Sequence, residues 1–520
     1  MTRARQLLRQ DFATISDLVS AYATERPEAT AVIDHDVVTS YAALDALADR
    51  AAVAFQRDGL EKGGAIAICA SNSLAYLVTL LGGVRAGVIV CPLAPSATPE
   101  QLLRMIEDCE ASLLFLDAAA ASHVAEILPR TGARSIALDG KVHGTSFEEW
   151  LSPPGIEPAP AAIARADLFN IIYSSGTTGV PKGIVQSHYM RCRVMHMVGR
   201  YGFDANSITI LSTPLYSNTT LVTLMPALGF GGAVVLMSKF DARIFLEISQ
   251  RHRVTHAMLV PVQYRRIMDV PDFDSFDLAS FVMKFSTSAP FPAALKADVL
   301  ARWPGGLVEF YGVTEGGGNC ILEAHLRPDK LNSVGLPVTG HDIRLVREDG
   351  EEAAPGEEGE VVGRSGAMME GYYKAPEKTA EAEWFSQAGL RYIRTGDIGR
   401  FDAEGFLTLI DRKKDMIISG GFNIYPSDIE TVIAQHSAVL ETAVVGRPSQ
   451  RWGETPVAFV ALRPGSRLSV AELAAFVEGR VGKTQRPSDY SFVEALPRSG
   501  IGKVLKRELR KRALTEGQGG

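Results

Sequence analysis

The stretch Tyr173-Ser174-Ser175-Gly176-Thr177-Thr178-Gly179-Val180-Pro181-Lys182-Gly183 is the strongest local signal in the chain. It overlaps the end of the apolar run FNIIYSS (169–175), which predicts a strand. Its glycines would let backbone N–H groups approach an anion closely, and its hydroxyls and Lys182 add further donors. The stretch therefore predicts a polyphosphate-binding loop, although alone it is also compatible with a surface loop rich in Ser, Thr and Gly.

The loop does not follow the Walker A pattern. Counting from Gly176, Pro181 occupies the place of the second glycine, and Gly183 occupies the place of the Ser or Thr that would hold magnesium. A different class of nucleotide-binding enzyme is therefore indicated.

Short apolar runs alternate with helical patterns on both sides of this loop. Such alternation predicts βαβ units and a mostly parallel sheet. The predicted strands are AIAICA (65–70), VIVCPL (88–93), SLLFLD (112–117), RSIALD (134–139), ITILSTPL (208–215), AVVLMS (233–238) and THAMLVP (255–261). From about residue 335 polar and apolar residues alternate around turn signals, which predicts antiparallel strands. Segment 415–514 has the pattern of a small α+β domain.

Composition narrows the class of protein. Of the 520 residues, 46% are hydrophobic and 22% charged, which is typical of globular domains and excludes disorder for most of the chain. A net charge of −7 argues against nucleic acid as a partner. The uncharged stretches 63–84 and 205–238 contain polar residues, prolines or glycines, and we interpret them as buried strand and helix rather than membrane spans. The scattered cysteines predict buried, reduced thiols in a cytoplasmic protein.

Five blocks, in order along the chain, carry a resemblance to a known family. They are the stretch 173–183, Tyr311-Gly312-Val313-Thr314-Glu315, Tyr392-Ile393-Arg394-Thr395-Gly396-Asp397, Asp411-Arg412-Lys413-Lys414-Asp415 and Pro497-Arg498-Ser499-Gly500-Ile501-Gly502-Lys503. Together they resemble the acyl-adenylate-forming superfamily, in particular its AMP-dependent CoA ligase (acyl-CoA synthetase) branch. The blocks span some 330 residues, and the similarity covers nearly the whole chain.

The resemblance implies an α/β fold. It consists of a large N-terminal region of parallel α/β layers with a β-barrel-like subdomain, followed by a small mobile α+β C-terminal domain. The implied boundaries are 1–410 for the adenylate-forming domain, 411–414 for a hinge centred on Lys414, and 415–520 for the mobile domain that carries the catalytic lysine. A solvated charge pair is the alternative interpretation of Lys413 and Lys414.

The resemblance also implies the nucleotide site, in which Tyr311 offers an aromatic face to adenine and the segment from Ser288 lines the other side. Thr314 can donate to the α-phosphate, and Asp397 can accept both ribose hydroxyls. The residues implied for ATP and AMP binding are Ser174, Ser175, Gly176, Thr177, Thr178, Gly179, Lys182, Ser288, Ala289, Pro290, Glu309, Phe310, Tyr311, Gly312, Asp397, Arg412 and Lys503.

Three residues are predicted to be catalytic: Lys503, Thr314 and Glu315. Glu315 is a hard oxygen ligand suited to Mg²⁺, which binds through one or two carboxylates and substrate phosphates. Lys503 would stabilise the charge that develops when a carboxylate attacks the α-phosphate. Read without the family pattern, Glu315 is an ordinary surface acid and Lys503 belongs to a solvated basic helix.

The predicted acyl pocket contains one departure from the family. Ser217 stands where the gating motif usually carries histidine or another aromatic residue, so the pocket mouth is less obstructed. No aspartate occurs in 210–224, which disfavours an amino-acid substrate. Neighbouring apolar segments predict a pocket for an aryl, arylalkanoic or medium-chain acid. Arg265 is either a partner for a second carboxylate or a solvated charge. The assigned pocket residues are Tyr216, Ser217, Asn218, Val262, Gly316 and Gly335, and the assigned coenzyme A tunnel residues are Ser419, Gly420 and Gly421.

The predicted activity is that of an AMP-forming acyl-CoA ligase. The co-substrates are ATP, a small carboxylic acid and coenzyme A, with Mg²⁺ as cofactor, and the protein is expected to be a monomer or homodimer. The alternatives are a stand-alone enzyme that loads an acyl-carrier protein, a non-catalytic nucleotide-binding relative, and a luciferase-like oxidative second step.

Overall fold

The structure, a computed structural model, describes residues 1–140, 144–174, 182–419, 422–449, 452–499 and 502–516. Its contacts divide the chain into two units. The larger unit comprises Met1–Asp342 and Gly363–Ile393, and the smaller unit comprises Ile343–Val362 and Arg394–Gly520.

The helices of the described residues are α1 Arg3–Arg9, α2 Ile15–Glu25, α3 Tyr41–Arg57, α4 Leu74–Ala86, α5 Pro99–Asp108, α6 Ala118–Val124, α7 Phe147–Trp150, α8 His188–Gly199, α9 Asn218–Gly229, α10 Ala242–His252, α11 Pro261–Met268, α12 Ala293–Arg302, α13 Pro376–Glu381, α14 Pro426–Ala434, α15 Val470–Glu478 and α16 Lys506–Glu516.

The strands of the described residues are β1 Thr30–Asp34, β2 Val37–Ser40, β3 Ala65–Cys69, β4 Ile89–Pro92, β5 Leu113–Leu116, β6 Arg134–Ala137, β7 Thr145–Ser146, β8 Leu168–Ser174, β9 Lys182–Ser187, β10 Ile208–Leu211, β11 Ala233–Leu236, β12 His256–Leu259, β13 Met283–Ser286, β14 Gly306–Gly312, β15 Asn319–Glu323, β16 Leu336–Pro337, β17 Asp342–Val346, β18 Gly359–Arg364, β19 Glu383–Phe385, β20 Arg391–Phe401, β21 Leu407–Arg412, β22 Ile417–Ser419, β23 Phe422–Ile424, β24 Val439–Ser449, β25 Gly453–Leu462 and β26 Asp489–Val493.

Two sheets build the larger unit. One runs β16–β15–β14–β13–β12–β10–β11–β1–β2 and the other runs β7–β6–β5–β3–β4–β8–β9. Their central strands pair in parallel, and antiparallel strands such as β2, β9 and β15 lie toward the edges. One hydrophobic core contains residues of both sheets and of α2, α3, α4 and α9. The predicted parallel α/β layers are confirmed.

Helix α4 shows why the uncharged stretch 63–84 is core. It begins at the N-cap Ser73, whose hydroxyl accepts from the Tyr76 N–H, and it ends at Gly87 in the left-handed conformation. A Cβ at Gly82 would lie 2.5 Å from the Cβ of Ala51, so only glycine allows α3 and α4 to pack this closely. Among the described residues, no helix has both the length and the hydropathy needed to cross a bilayer.

Two sheets contain the strands of the smaller unit. One has the order β17–β18–β20–β19, with β21 also paired to β20, and the other has the order β23–β22–β25–β24, with β26 paired to β25. Helices α14 and α15 pack on one face of the long β24–β25 ladder, where Ile429, Leu473 and Val477 are fully buried. Helix α16 covers the other face through Leu509 and Ala513. The predicted small C-terminal α+β domain is confirmed.

The five cysteines lie on strands, on a helix or at a helix C-cap of the larger unit. Cys69, Cys91, Cys109, Cys192 and Cys320 are all buried and unpaired, as predicted.

Candidate functional site

The phosphate-loop stretch is anchored by an antiparallel pair of strands. Ser174 at the end of β8 lies opposite Lys182 at the start of β9. The predicted ligands Ser175, Gly176, Thr177, Thr178 and Gly179 lie outside the described residues. The Lys182 Nζ lies 4.9 Å from the ring centroid of Tyr372, a cation–π contact that directs the ammonium group of this lysine.

Tyr372 also holds the predicted magnesium ligand. Its hydroxyl donates to Oε1 of Glu315 at 2.8 Å, so one tyrosine links Lys182 to Glu315. Burial and the charge of Glu315 raise the pKa of Tyr372 far above its usual value, which keeps the hydroxyl protonated as a donor. This role could not be predicted, because Tyr372 belongs to none of the five blocks.

Strand β14 presents its predicted residues to different surroundings. The Phe310 ring stacks on Phe285, 5.6 Å away between centroids, so this side chain belongs to the core. The Glu309 carboxylate forms a buried ion pair with Lys296, and burial raises the pKa of Glu309 to about 7. The Glu309 and Phe310 side chains are therefore engaged inside the protein, and only Tyr311 and Gly312 continue toward the Thr314–Glu315 loop.

The segment predicted to line adenine and the predicted acyl-gating motif meet at a pair of hydroxyls. Thr219 Oγ1 and Ser288 Oγ are 2.7 Å apart. Ser288 has φ of +76°, a left-handed conformation that side chains rarely adopt, and Ala289 and Pro290 follow it. The hydrogen bond compensates for part of this backbone strain.

The other predicted pocket residues are held by nearby elements. Ser217 caps α9 by accepting from the Thr219 N–H, and Asn218 accepts from Arg191 at 2.7 Å. Tyr216 is half-buried and hydrogen-bonded to Ser96, and Val262 is half-buried in α11.

The two predicted pocket glycines lie where backbones approach closely. A Cβ on Gly316 would lie 2.3 Å from the Ala367 carbonyl oxygen, and one on Gly335 would lie 1.9 Å from that of Ile321. Arg265, on α11, makes no ion pair with any residue that the structure describes.

In the smaller unit, strand register brings Asp397, the residue predicted to bind ribose, to its partner. Asp397 on β20 lies directly opposite Arg412 on β21, and Arg412 Nε is 2.6 Å from Asp397 Oδ1. Lys503 belongs to the same charged cluster, together with Lys414 and Asp415. Desolvation and the charges of Arg412 and Lys414 lower the pKa of Lys503 to about 8, although Lys503 is exposed at the surface.

A turn presents Lys503 to this cluster. The Ser499 N–H donates to the Lys503 carbonyl at 2.8 Å, and the Lys503 N–H donates to the Ser499 hydroxyl at 3.2 Å. These bonds close the chain on either side of Gly500 and Ile501, which lie outside the described residues. The backbone of Lys503 is therefore held by Ser499.

The predicted hinge and tunnel segments flank this cluster in the chain. Arg510 donates to the Lys414 carbonyl at 3.3 Å and to Asp415 Oδ1 at 2.7 Å, so α16 is tied to the segment 413–415. Desolvation and neighbouring cations lower the pKa of Lys414. Ser419 is buried at the end of β22, and the predicted tunnel residues Gly420 and Gly421 lie outside the described residues.

Glu360, which is not among the predicted site residues, forms ion pairs with two neighbouring cations. Glu360 Oε2 is 2.6 Å from Arg394 and 3.0 Å from Lys413. This pairing explains why Lys413, unlike Lys414, is held at the surface of the smaller unit by an ion pair. Glu360 was not predictable because it lies more than thirty residues from either partner.

The carboxylate of Glu315 in the larger unit is suited to a metal ion that arrives bound to substrate phosphates. The described residues contain no group of three or more His, Cys, Asp or Glu side chains that could hold a metal ion by themselves. Glu315 is a single carboxylate oriented by Tyr372, which matches the way Mg²⁺ binds through one or two carboxylates plus phosphates.

Comparisons with known proteins agree with this arrangement. The AMP-binding enzyme family model matches residues 19–373, and the AMP-binding enzyme C-terminal domain model matches residues 428–503. A feruloyl-CoA synthase of Amycolatopsis sp. is 33% identical over 494 residues, covering 94% of this chain and 96% of that protein.

Two further relatives extend the comparison. A fatty acid–[acyl-carrier-protein] ligase of Streptomyces coeruleorubidus is 30% identical, covering 96% of each chain. The crystal structure of ATP-bound MatB from Rhodopseudomonas palustris is 29% identical, with a TM-score of 0.85, covering 96% of this chain and 99% of that one. The chain therefore belongs to the AMP-binding enzyme family and, within the acyl-adenylate-forming superfamily, to the AMP-forming acyl-CoA synthetases.

Proposed function

We propose that this protein binds ATP with Mg²⁺ and joins a carboxylic acid to coenzyme A in two half-reactions. In the first, a carboxylate oxygen attacks the α-phosphorus, the bond from that phosphorus to the β-phosphate oxygen breaks, and pyrophosphate leaves. In the second, the thiol sulfur of coenzyme A attacks the acyl carbon, loses its proton, and displaces AMP. Adenylation turns a carboxylate oxygen into a good leaving group.

The observation that carries this proposal is the cluster of Asp397, Arg412 and Lys503 within the smaller unit. Asp397 supplies two acceptor oxygens for a ribose, while Lys503 supplies a cation for the phosphate end of the same nucleotide. Attack of a carboxylate on the α-phosphate brings two anions together, and a cation that bridges them stabilises the transition state. Asp397 and Lys503 therefore suit the ribose and the phosphate end of one nucleotide, respectively.

The larger unit supplies the complementary charges. Lys182 is directed by the Tyr372 ring, and Glu315 is oriented by the Tyr372 hydroxyl. Glu315 would hold Mg²⁺, which when bound neutralises phosphate charge. Lys182 would compensate the negative charge of the polyphosphate, and Thr314 would donate to the α-phosphate.

For the second half-reaction we propose domain alternation. The C-terminal domain rotates about Lys414 after adenylation, which removes Lys503 and brings the region of Ser419, Gly420 and Gly421 to the acyl adenylate. The family resemblance supports this step.

An aryl, arylalkanoic or medium-chain acid is the proposed substrate class. Helix α9 beside Ser217 is buried along nearly its whole length, and no aspartate in 210–224 could bind a substrate ammonium group. The similarity to a protein named feruloyl-CoA synthase supports an aromatic acid. The similarity to a protein named as an acyl-carrier-protein ligase supports the alternative acceptor, a carrier protein.

A pooled-substrate assay tests the proposal. Purified protein is incubated with Mg·ATP, coenzyme A and a pool of aliphatic, aromatic, arylpropenoic, dicarboxylic and amino acids, and thioesters are identified by mass. We expect one dominant thioester and equimolar AMP. Acyl adenylate and AMP without thioester would favour a carrier-protein acceptor, and a parallel reaction with a phosphopantetheinylated carrier protein checks this. Absence of both products would contradict the proposed activity.

A further inference from the structure

Arg191 on α8 is a cation buried beneath the predicted acyl and nucleotide segments of the larger unit. Its side chain is only 3% exposed. It donates to Asn170 Oδ1 at 3.2 Å, to Gln186 Oε1, and to Asn218 Oδ1 at 2.7 Å. The guanidinium also lies 5.5 Å from the ring centroid of Phe169.

Among the described residues, the hydrogen-bond acceptors of this guanidinium are all neutral amide oxygens. In the described part of the chain, Arg191 forms no ion pair with a carboxylate. Burial lowers the pKa of Arg191, as expected for a cation removed from water without an anion beside it. A buried charge is costly unless its hydrogen bonds are satisfied, so the three amides that surround Arg191 are fixed by it.

The contact with Arg191 decides which way the Asn218 amide faces. A guanidinium offers only donors, so the Asn218 oxygen must point toward it and the NH₂ group must point away. Asn218 is half-buried, and its NH₂ group meets no acceptor among the residues that the structure describes. Asn218 therefore presents two N–H donors in a fixed direction.

The position of Asn218 links the predicted pocket to the predicted catalytic loop. It is the first residue of α9, and its neighbour Thr219 bonds to Ser288. On the other side of Arg191, Gln186 donates to the Thr314 carbonyl at 2.8 Å. Hydrogen bonds through Arg191 and Gln186 thus connect Asn218 to Thr314, the residue assigned to the α-phosphate, while its chain neighbour Thr219 bonds to the segment assigned to adenine.

We propose that Arg191 is a positioning residue and that Asn218, held by it, determines specificity by donating a hydrogen bond to an acceptor oxygen on the acid. The preferred acids then carry a hydroxyl, ether or carbonyl oxygen besides the carboxylate. This inference rests on the proposed function, because it requires that the protein adenylates an acid in the pocket to which the sequence analysis assigns Asn218.

Matched acids provide the test. Adenylation is measured by pyrophosphate release with phenylpropenoic and phenylacetic acids that carry a hydroxyl at each ring position in turn, and with the corresponding methyl isosteres. Decanoic acid and its oxo derivatives supply an aliphatic series. The readout is the ratio of kcat/KM between each oxygen-bearing acid and its isostere. For at least one oxygen position, we expect wild type to prefer the oxygen by about tenfold, the scale of one hydrogen bond.

Asn218→Asp is the decisive variant. Aspartate keeps an oxygen toward Arg191, and even gains an ion pair, but it replaces the outward donors by an acceptor. We expect the preference to disappear or reverse while the thermal midpoint stays level or rises, which a merely structural role of Asn218 would not produce. Arg191→Met should reduce the preference as well, because Asn218 can then rotate, and Arg191→Lys should restore part of it by keeping one donor.

The outcomes separate this inference from the proposed function. If wild type adenylates no acid of the series, the proposed function is wrong, and this inference is wrong with it. If wild type adenylates acids but Asn218→Asp leaves every ratio unchanged, only this inference is wrong. A change in KM for ATP that is equal for all acids would likewise contradict it, because the contact would then be to the nucleotide.

Discussion

Lys503 combines two properties at the scale of a single residue. Its ammonium group would supply the positive charge proposed for adenylation, and desolvation together with the charges of Arg412 and Lys414 lowers its pKa to about 8. A lysine with a lowered pKa loses its charge at a lower pH than usual, so the cation is present below about pH 8 and is progressively lost above it.

The loss of the Lys503 charge predicts an alkaline limb in the pH–rate profile of the first half-reaction. We expect kcat/KM for adenylation to fall as the pH rises through about 8, because neutral Lys503 cannot stabilise the developing charge. In Lys503→Arg the guanidinium stays protonated, so the limb should move to higher pH even where the absolute rate is lower. Pyrophosphate release measured across the pH range provides the test. An identical limb in the variant would show that another group titrates.

Tyr372 permits a second test at the residue scale. Tyr372→Phe keeps the ring beside Lys182 but removes the donor to Glu315. Removing a hydrogen bond that orients a metal ligand typically weakens metal binding by about 10-fold or more, so the Mg²⁺ concentration for half-maximal adenylation should rise by that factor. Tyr372→Leu, which also removes the ring, should in addition raise KM for ATP. An unchanged Mg²⁺ dependence in Tyr372→Phe would contradict this role of the hydroxyl.

At the scale of elements, close approach between strands decides which residues are possible. Gly335 and Gly340 both adopt a positive φ, but a Cβ on Gly335 would lie 1.9 Å from the Ile321 carbonyl oxygen, whereas one on Gly340 would meet no atom within 4 Å. The two positions therefore share the cost of a left-handed backbone and differ in the steric clash.

Alanine at each position separates these two costs. Gly340→Ala should lower the free energy of unfolding by about 1–2 kcal/mol, the cost of the left-handed conformation. Gly335→Ala should cost several times more, because β15 must move away, and it should impair adenylation through the neighbouring Thr314–Glu315 loop. Thermal unfolding midpoints of the two variants give the comparison. Equal midpoints would show that β15, which carries Ile321, moves away from the new Cβ without a cost in stability.

The elements that could be predicted from sequence are those with local signals. The run 65–70 and the helix pattern 73–87 match β3 and α4, because complete burial makes both continuously apolar. Tyr372 and Arg191 could not be predicted in their roles, because each acts through partners distant in the chain. In sequence Arg191 is an ordinary helical cation, and only the fold places it among Asn170, Gln186 and Asn218.

We propose that the whole protein catalyses two half-reactions that share one acyl adenylate. The division into two units places Asp397, Arg412 and Lys503 in the smaller one and Lys182, Glu315 and Tyr372 in the larger one. In our account Lys503 serves adenylation only, since the C-terminal domain rotates before the thiol attacks. The two half-reactions should therefore differ sharply in their dependence on this residue.

The most direct test of this account measures both half-reactions in Lys503→Ala. Adenylation, followed by acid-dependent pyrophosphate release, should fall by about 10²–10³, as for loss of one transition-state donor. Thioester formation from supplied acyl adenylate and coenzyme A should keep a rate close to that of wild type. Equal loss of both half-reactions would contradict domain alternation, and unimpaired adenylation would contradict the catalytic role of Lys503.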